Sequence, residues 1–312
     1  SGDIGFYSDK SNEITEIINQ NAPIFEKASI DEFYLDITGM DRYFGSYKWT
    51  SELMDKVVME SGLGLSFGMS ENKTISKIAT GEFKPMGKVH IEHDMVKGFL
   101  NPLSIKKIPM IGHKNYRELS RIGIRRIEQL SNTPPEFLQQ LLGKNGKSIW
   151  KKANGIDSAP VLAYNEKKSI SNEQTFSKDS SHISSLKALL IKMVEKTAYE
   201  LRKSSQLCSI VSVKIRYANF DTETKQMKIY YTANDAELIP VVKRLFDLLY
   251  QRRMLIRLIG VNCSGLVNGK EQTHLFNDTA ERINLIKAID QMKQRFGENI
   301  ITRAETMNAY KG

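Results

Sequence analysis

Ser29-Ile30-Asp31-Glu32-Phe33-Tyr34-Leu35-Asp36 is the stretch from which the rest of the chain is read. Two adjacent acids open an otherwise apolar run, Ile30–Ile37, of strand character. Carboxylates are disfavoured inside strands, and like charges side by side repel unless a cation neutralises them. Hard cations such as Mg²⁺ take carboxylate oxygens, and phosphoryl transfer often uses two such ions to hold the attacking and leaving oxygens. From the local pattern alone, two solvated turn residues are the simpler reading.

The flanking sequence alternates helix and strand patterns. A helix is predicted around Asn12–Gln20. After the acids, Trp49, Leu53 and Val57 recur at helical spacing, with Gly62 as a stop. Leu63, Leu65, Phe67 and Met69 alternate as in a strand, and Ser70 is placed to cap a helix through about Thr80, ended by Pro85. Residues 1–93 thus read as an α/β unit with at least three strands. Residues 94–158 change to short helices punctuated by Gly and Pro, with a helix start at Thr133-Pro-Pro-Glu136, and read as a small all-α domain. A linker is expected over 159–170. Residues 171–266 follow the order β-α-β-β-α-β of a ferredoxin-like unit: a strand at Ile170–Phe176, a helix at Ile183–Lys203, strands through Val211–Tyr217 and Met227–Tyr231, a helix at Asp235–Arg252 and a strand at Leu255–Cys263. With helices on one sheet face, Lys214, Arg216, Lys228 and Arg257 are expected on the open one. Residues 267–312 form a tail with a helix at about Thr279–Phe296. The fold class is α+β.

Net charge is +9 over 312 residues, which favours a polyanionic partner such as nucleic acid. No run approaches the ~20 apolar residues of a membrane span, and none reads as a secretory h-region. Cys208 and Cys263 are far apart and the five histidines do not cluster, so no zinc spacing occurs; two buried thiols in a reducing cytoplasm are expected.

Ser29-Ile-Asp-Glu-Phe-Tyr-Leu-Asp36 followed by Thr38-Gly39 resembles the catalytic signature of the Y-family (translesion) DNA polymerases, of the bacterial DNA polymerase IV type. The resemblance continues through Gly68-Met-Ser-Glu-Asn-Lys-Thr-Ile-Ser-Lys-Ile-Ala79, Lys84-Pro-Met-Gly87 and Ile108-Pro-Met-Ile-Gly112, and reaches Arg252-Arg-Met-Leu-Ile-Arg-Leu-Ile-Gly-Val261. It covers nearly the whole chain in the family's order.

The resemblance implies a palm over residues 1–93, a thumb with a helix-hairpin-helix over 94–158 and a little finger over 171–266. It implies that Asp31 and Glu32 are catalytic and supply two of three Mg²⁺-binding carboxylates, that Asp36 is structural, and that Lys84 touches the incoming triphosphate. The family's first palm strand, with the third carboxylate and the residue that excludes ribonucleotides, and the fingers domain are not matched in this chain. The expectation is therefore a fragment with an incomplete metal site, unable to polymerise by itself. Ile111, Gly112 and Lys114 are expected at the DNA backbone, with Met110 where the hairpin's first glycine is usual. Gln272-Thr-His-Leu275-Phe276 resembles the Gln-x-x-Leu-Phe peptide that docks polymerases on the sliding clamp; from pattern alone, Leu275 and Phe276 would pack under the helix that follows.

The leading expectation is template-directed synthesis across damaged DNA by a cytoplasmic, monomeric enzyme with primer–template DNA, dNTP and the sliding clamp as partners. A DNA-binding module without catalysis is the alternative. A nucleotide cyclase, a third class sharing a palm-like unit, is disfavoured by the thumb motif and the second β-α-β-β-α-β unit.

Overall fold

The computed structural model describes residues 3–40, 45–163, 167–269 and 279–307. The chain divides into two compact units, Ser1–Asn165 and Glu166–Gly312.

In the first unit, helix α1 (Ile4–Asn21) leads into a hairpin of β1 (Ile24–Lys27) and β2 (Phe33–Asp36), antiparallel with Glu26 opposite Tyr34. The predicted helix began at Asn12; it starts at Ile4 because the Asp3 carboxylate accepts the Phe6 amide and caps the first turn. α2 (Ser46–Ser61) ends at Gly62, whose φ of 71° is the left-handed stop its sequence position predicts. Ile17 and Ile18 of α1 meet Leu53 and Val57 of α2 in one small core, with Phe25, Phe33 and Leu35 packed against it.

β3 is Phe67–Met69, shorter than the alternation from Leu63 suggests, because its parallel partner β4 spans only Lys88–His90. Between them runs α3 (Lys73–Glu82). Its cap is Asn72, which accepts the Ile75 amide at 3.1 Å; Ser70, the expected cap, instead donates to the Ile91 carbonyl. Gly68 lies so close to α3 that a Cβ would stand 2.5 Å from the Ser76 carbonyl oxygen. The four strands form two separate two-stranded sheets rather than one.

Ile75, Ile78 and Ala79 of α3 share a core with the helical segment that follows: α4 (Val96–Leu100), α5 (His113–Arg121), α6 (Ile127–Ser131), α7 (Pro135–Leu142) and α8 (Gly146–Ala153). This core runs across the expected boundary between residues 93 and 94. The expected linker is tied down at its start, where Leu162 donates to Glu26 and the Pro160 carbonyl accepts from Lys73.

In the second unit the element order is β-α-β-β-α-β: β5 (Ser169–Ser180), α9 (Ile183–Lys203), β6 (Gln206–Tyr217), β7 (Thr222–Thr232), α10 (Asp235–Leu249) and β8 (Ile256–Ser264). All pairings among these strands are antiparallel and the order is β5-β8-β6-β7. Each crossover is thus split by one strand, as expected, but the first and third strands of the unit take the edges, where a ferredoxin-like sheet has its second and fourth. β9 (Val267–Asn268) pairs with the start of β6, and α11 (Thr279–Phe296) closes the described chain with a short turn at Ala304–Thr306. Arg202 of α9 holds α11 through two hydrogen bonds, of 2.7 and 2.8 Å, to Asp290. Cys208 and Cys263 are both buried free thiols in this core.

Gly87 supplies a direct test of the first unit. A Cβ there would fall 1.7 Å from the Phe83 carbonyl oxygen, a collision with backbone that no rotamer relieves. Gly87→Ala is expected to cost about 2–3 kcal/mol, read as a lower urea midpoint with an unchanged slope.

Candidate functional site

An open cavity of about 1420 Å³ in the first unit is lined by β2, β3, the start of α3 and the Lys84–Met86 turn. Asp31 and Glu32 stand on its wall, but in the hairpin turn and not in the strand: the Ala28 and Ser29 amides both donate to the Glu32 carbonyl, and β2 starts at Phe33. Tight pairing of β1 with β2 places the acids where water and ligands reach them, which resolves the cost of carboxylates in a strand. Asp31 is exposed and its Oδ1 accepts the Ser29 hydroxyl at 2.6 Å. Glu32 is more enclosed: its Oε1 accepts the Tyr34 hydroxyl at 3.0 Å and an ion pair from Lys77. Burial first, then the Glu32 charge and hydrogen bond, push the Tyr34 phenol well above the ordinary tyrosine range, so it stays protonated as a donor. Asp36 also lines the cavity but caps a turn, accepting the Thr38 amide at 3.0 Å; the Thr38 hydroxyl and amide hold its carboxyl below the usual range.

The same cavity also carries lysines. Lys73 and Lys77, four residues apart on α3, and Lys84 beyond its end all line the same cavity. Lys84 is exposed, at the head of a turn fastened to β3 by hydrogen bonds from Phe67 to the Gly87 carbonyl and from Gly87 to the Ser66 hydroxyl. Lys73 has a structural partner: it bonds Glu26 at 2.7 Å and the Pro160 carbonyl at 2.9 Å. Burial alone would raise the Glu26 carboxyl, but Lys73 and the Leu162 amide outweigh it and leave Glu26 depressed. Alongside, Asp157 accepts from Thr74 at 2.5 Å and Lys152 at 2.9 Å. Sequence reading passed over Glu26, Lys73, Lys77 and Asp157, because their partners are brought together only by the fold.

Two carboxylates on a hard-oxygen wall suit a divalent cation chemically, and leave coordination positions for ligands from elsewhere. Among the described residues no group of three His, Cys, Asp or Glu side chains converges as a metal site.

The expected DNA-holding residues are placed as follows. In the Ile108–Gly112 hairpin the Ile111 side chain is buried and its amide donates to the Ile108 carbonyl. Gly112 opens α5 with open space where a Cβ would be, and Lys114 is exposed in the first turn, where helix amides lack intrahelical partners. The left-handed position is Met110, φ 79°, and not Gly112. A side chain there is strained, so Met110→Gly is expected to raise stability by about 0.5–1 kcal/mol, measured as a higher unfolding midpoint.

In the second unit, Lys214, Arg216 and Lys228 share the face opposite the core residues Val211, Val213 and Ile215, since Lys228 lies across from Ile210 in the ladder. Tyr230, two residues beyond Lys228, is 95% exposed on that side. The face is not uniformly basic: Glu173 of β5 pairs with Lys214. Arg257 is the fourth residue expected on this face. It is the extra residue of a bulge where Ile256 faces Tyr217 and Leu258 faces Arg216, and it is held by Asp179 at 3.7 Å and over the Phe220 ring. Gln272, Leu275 and Phe276 lie outside the described residues.

Comparisons with known proteins agree on one family. The profile of the impB/mucB/samB family matches residues 1–81, and that of its C-terminal domain residues 167–275. The DNA polymerase IV of Clostridium kluyveri is 34% identical over 310 residues, 95% of this chain and 78% of that one. That of Alkaliphilus oremlandii is 32% identical over 96% of this chain and 79% of its own. Among solved structures, a Y-family DNA polymerase chimera of Dbh and Dpo4 superposes with a TM-score of 0.75 at 25% identity, covering 84% of this chain and 77% of that one. An insertion ternary complex of Dbh DNA polymerase matches in fold with a TM-score of 0.59 at 24% identity, over 84% of this chain and 77% of that one.

Proposed function

This chain belongs to the impB/mucB/samB family, Y-family DNA polymerases of the DNA polymerase IV kind, and on that premise we propose that the cavity beside Asp31 and Glu32 is its nucleotidyl-transfer site. The family's activity is translesion DNA synthesis by a DNA-directed DNA polymerase. The observation that carries the site assignment is that two kinds of charge line one cavity: the Asp31–Glu32 turn and Lys84. When bound there, Mg²⁺ would neutralise phosphate charge and polarise the attacking hydroxyl.

The protein's own residues then divide the work. Asp31 and Glu32 offer carboxylate oxygens to the cation. Tyr34 fixes the Glu32 carboxylate by its hydrogen bond. Lys84, on an exposed turn locked to β3, presents an ammonium to the triphosphate, whose negative charge grows as the bond to the leaving group breaks. β2 and β3 each pair on one edge only among the described residues, and both line this cavity. That supports the reading that a further strand completes the sheet between them and brings the third carboxylate.

The 312 residues by themselves then bind primer–template duplex without extending it. The hairpin at Gly112 and Lys114 and the face of Lys214, Arg216 and Lys228 lie along the DNA backbone, and the Gln272, Leu275 and Phe276 peptide tethers a cytoplasmic monomer to the sliding clamp. Primer extension with Mg²⁺ and dNTPs tests the assignment: none is expected from this chain, and robust extension is expected once the preceding palm strand and fingers of a DNA polymerase IV are joined to it. Extension by the 312 residues alone would refute the shared-carboxylate reading. Clamp binding that survives Leu275→Ala/Phe276→Ala in a folded protein would return those two residues to the core.

A further inference from the structure

Glu32 has a cationic partner that the family resemblance does not supply. Lys77 stands one helical turn after Lys73 on α3, so both ammonium groups point toward the cavity. Their situations differ. The Lys73 side chain is 18% exposed and committed to Glu26 and the Pro160 carbonyl, which fastens residues 160–162 to α3. The Lys77 side chain is 43% exposed, and its partner is the Glu32 carboxylate, on the same oxygen that accepts the Tyr34 hydroxyl. Neither Asp31 nor Glu32 has another ion-pair partner among the described residues. Among the described residues, the single positive charge in contact with the acid pair is therefore Lys77.

We propose that Lys77 is the counter-ion of the acid pair: it holds Glu32 in place when no divalent ion is bound, and is displaced when one binds. The proposal rests on the reading of Asp31 and Glu32 as cation ligands. Lys77 and the Tyr34 hydroxyl both occupy Glu32 Oε1, and an ammonium held beside a bound divalent ion repels it. Cation binding therefore works against the Lys77–Glu32 pair, so Lys77 raises the concentration of cation needed to fill the site. A merely structural role is a poor fit, because an ion pair this exposed contributes little to folding. Lys77 lies on the exposed face of α3, away from the buried Ile75, Ile78 and Ala79, so removing its charge leaves the packing of the helix intact. Lys77 is a positioning residue under this proposal; it touches a ligand of the metal and not the reacting atoms.

Terbium(III), which takes oxygen ligands and whose luminescence is sensitised by a nearby tyrosine, reads the site directly because Tyr34 is bonded to Glu32. The chain is titrated with terbium, and the bound ion is then competed off with Mg²⁺, for the natural sequence and for Lys77→Met, Lys77→Arg and Asp31→Asn. Lys77→Met is expected to bind terbium about three- to fivefold more tightly, with Mg²⁺ effective at correspondingly lower concentration. Lys77→Arg is expected to keep the natural affinity, and the unfolding midpoint of Lys77→Met to stay unchanged. Equal or weaker binding by folded Lys77→Met, with Asp31→Asn abolishing the signal, overturns the counter-ion role alone. A signal in the natural sequence that Asp31→Asn leaves intact overturns the cation reading of the acid pair, and this proposal with it.

Discussion

Asp31→Ala or Glu32→Ala, made in a polymerase that carries these residues with the whole catalytic sheet, is expected to lower the rate of primer extension by about 10³-fold or more. That loss corresponds to about 4 kcal/mol of transition-state stabilisation. It comes from removing an oxygen ligand where phosphate charge must be neutralised. Binding of primer–template should change little, since the acids repel the phosphate backbone, if they act on it at all. The fold should survive both changes: Asp31 is exposed in a turn, and the turn is held by backbone bonds to the Glu32 carbonyl, which alanine keeps. Single-turnover extension with Mg²⁺, next to thermal unfolding of the same proteins, reads both quantities. Near-natural turnover by either folded mutant would remove these residues from catalysis.

Duplex binding carries the second large effect. Lys214→Glu with Arg216→Glu is expected to weaken binding about 10- to 100-fold near 0.1 M salt at every sequence tested, and to flatten the log–log salt slope by about 1.8, or 0.9 per lost phosphate contact. The neighbour of Lys214 sharpens this expectation. Glu173 pairs with Lys214, so a glutamate at 214 would face a second acid, whereas Glu173→Gln frees the natural lysine and should tighten binding. Fluorescence anisotropy of a labelled primer–template over a salt series measures all three proteins. A flat salt titration, or weaker binding by Glu173→Gln, would contradict a backbone-tracking face.

What could be read from the sequence followed the strength of its periodic signals. The helix at Ile183–Lys203 was legible to the residue, because Leu186, Leu190, Val194 and Leu201 repeat a buried stripe over its length. β7 was legible only from Met227 on. Its first half, Thr222 to Gln226, is polar on both faces and becomes a strand through its ladder with β6. The strand order β5-β8-β6-β7 left no local signal, since the same succession of elements fits more than one order. At the site, the acid pair and Lys84 were found as motif residues. Lys77 and the Glu26–Lys73 pair were not, because residues 45 and 47 positions apart in sequence meet only after the hairpin and α3 have packed. At Arg257 a bulge residue breaks the alternation that would group it with the core residues Ile259 and Val261.

The most direct test of the central claim is the location of the cation. A crystal of the chain joined to its palm strand and fingers, holding primer–template, a non-hydrolysable dNTP and Mn²⁺, would place the ion by its anomalous scattering. The account predicts anomalous density on the carboxylates of both Asp31 and Glu32, with Lys77 withdrawn from Glu32 and Lys84 against the triphosphate. Density held by other residues, with Asp31 and Glu32 still in the solvated turn and Lys77 still on Glu32, would contradict it.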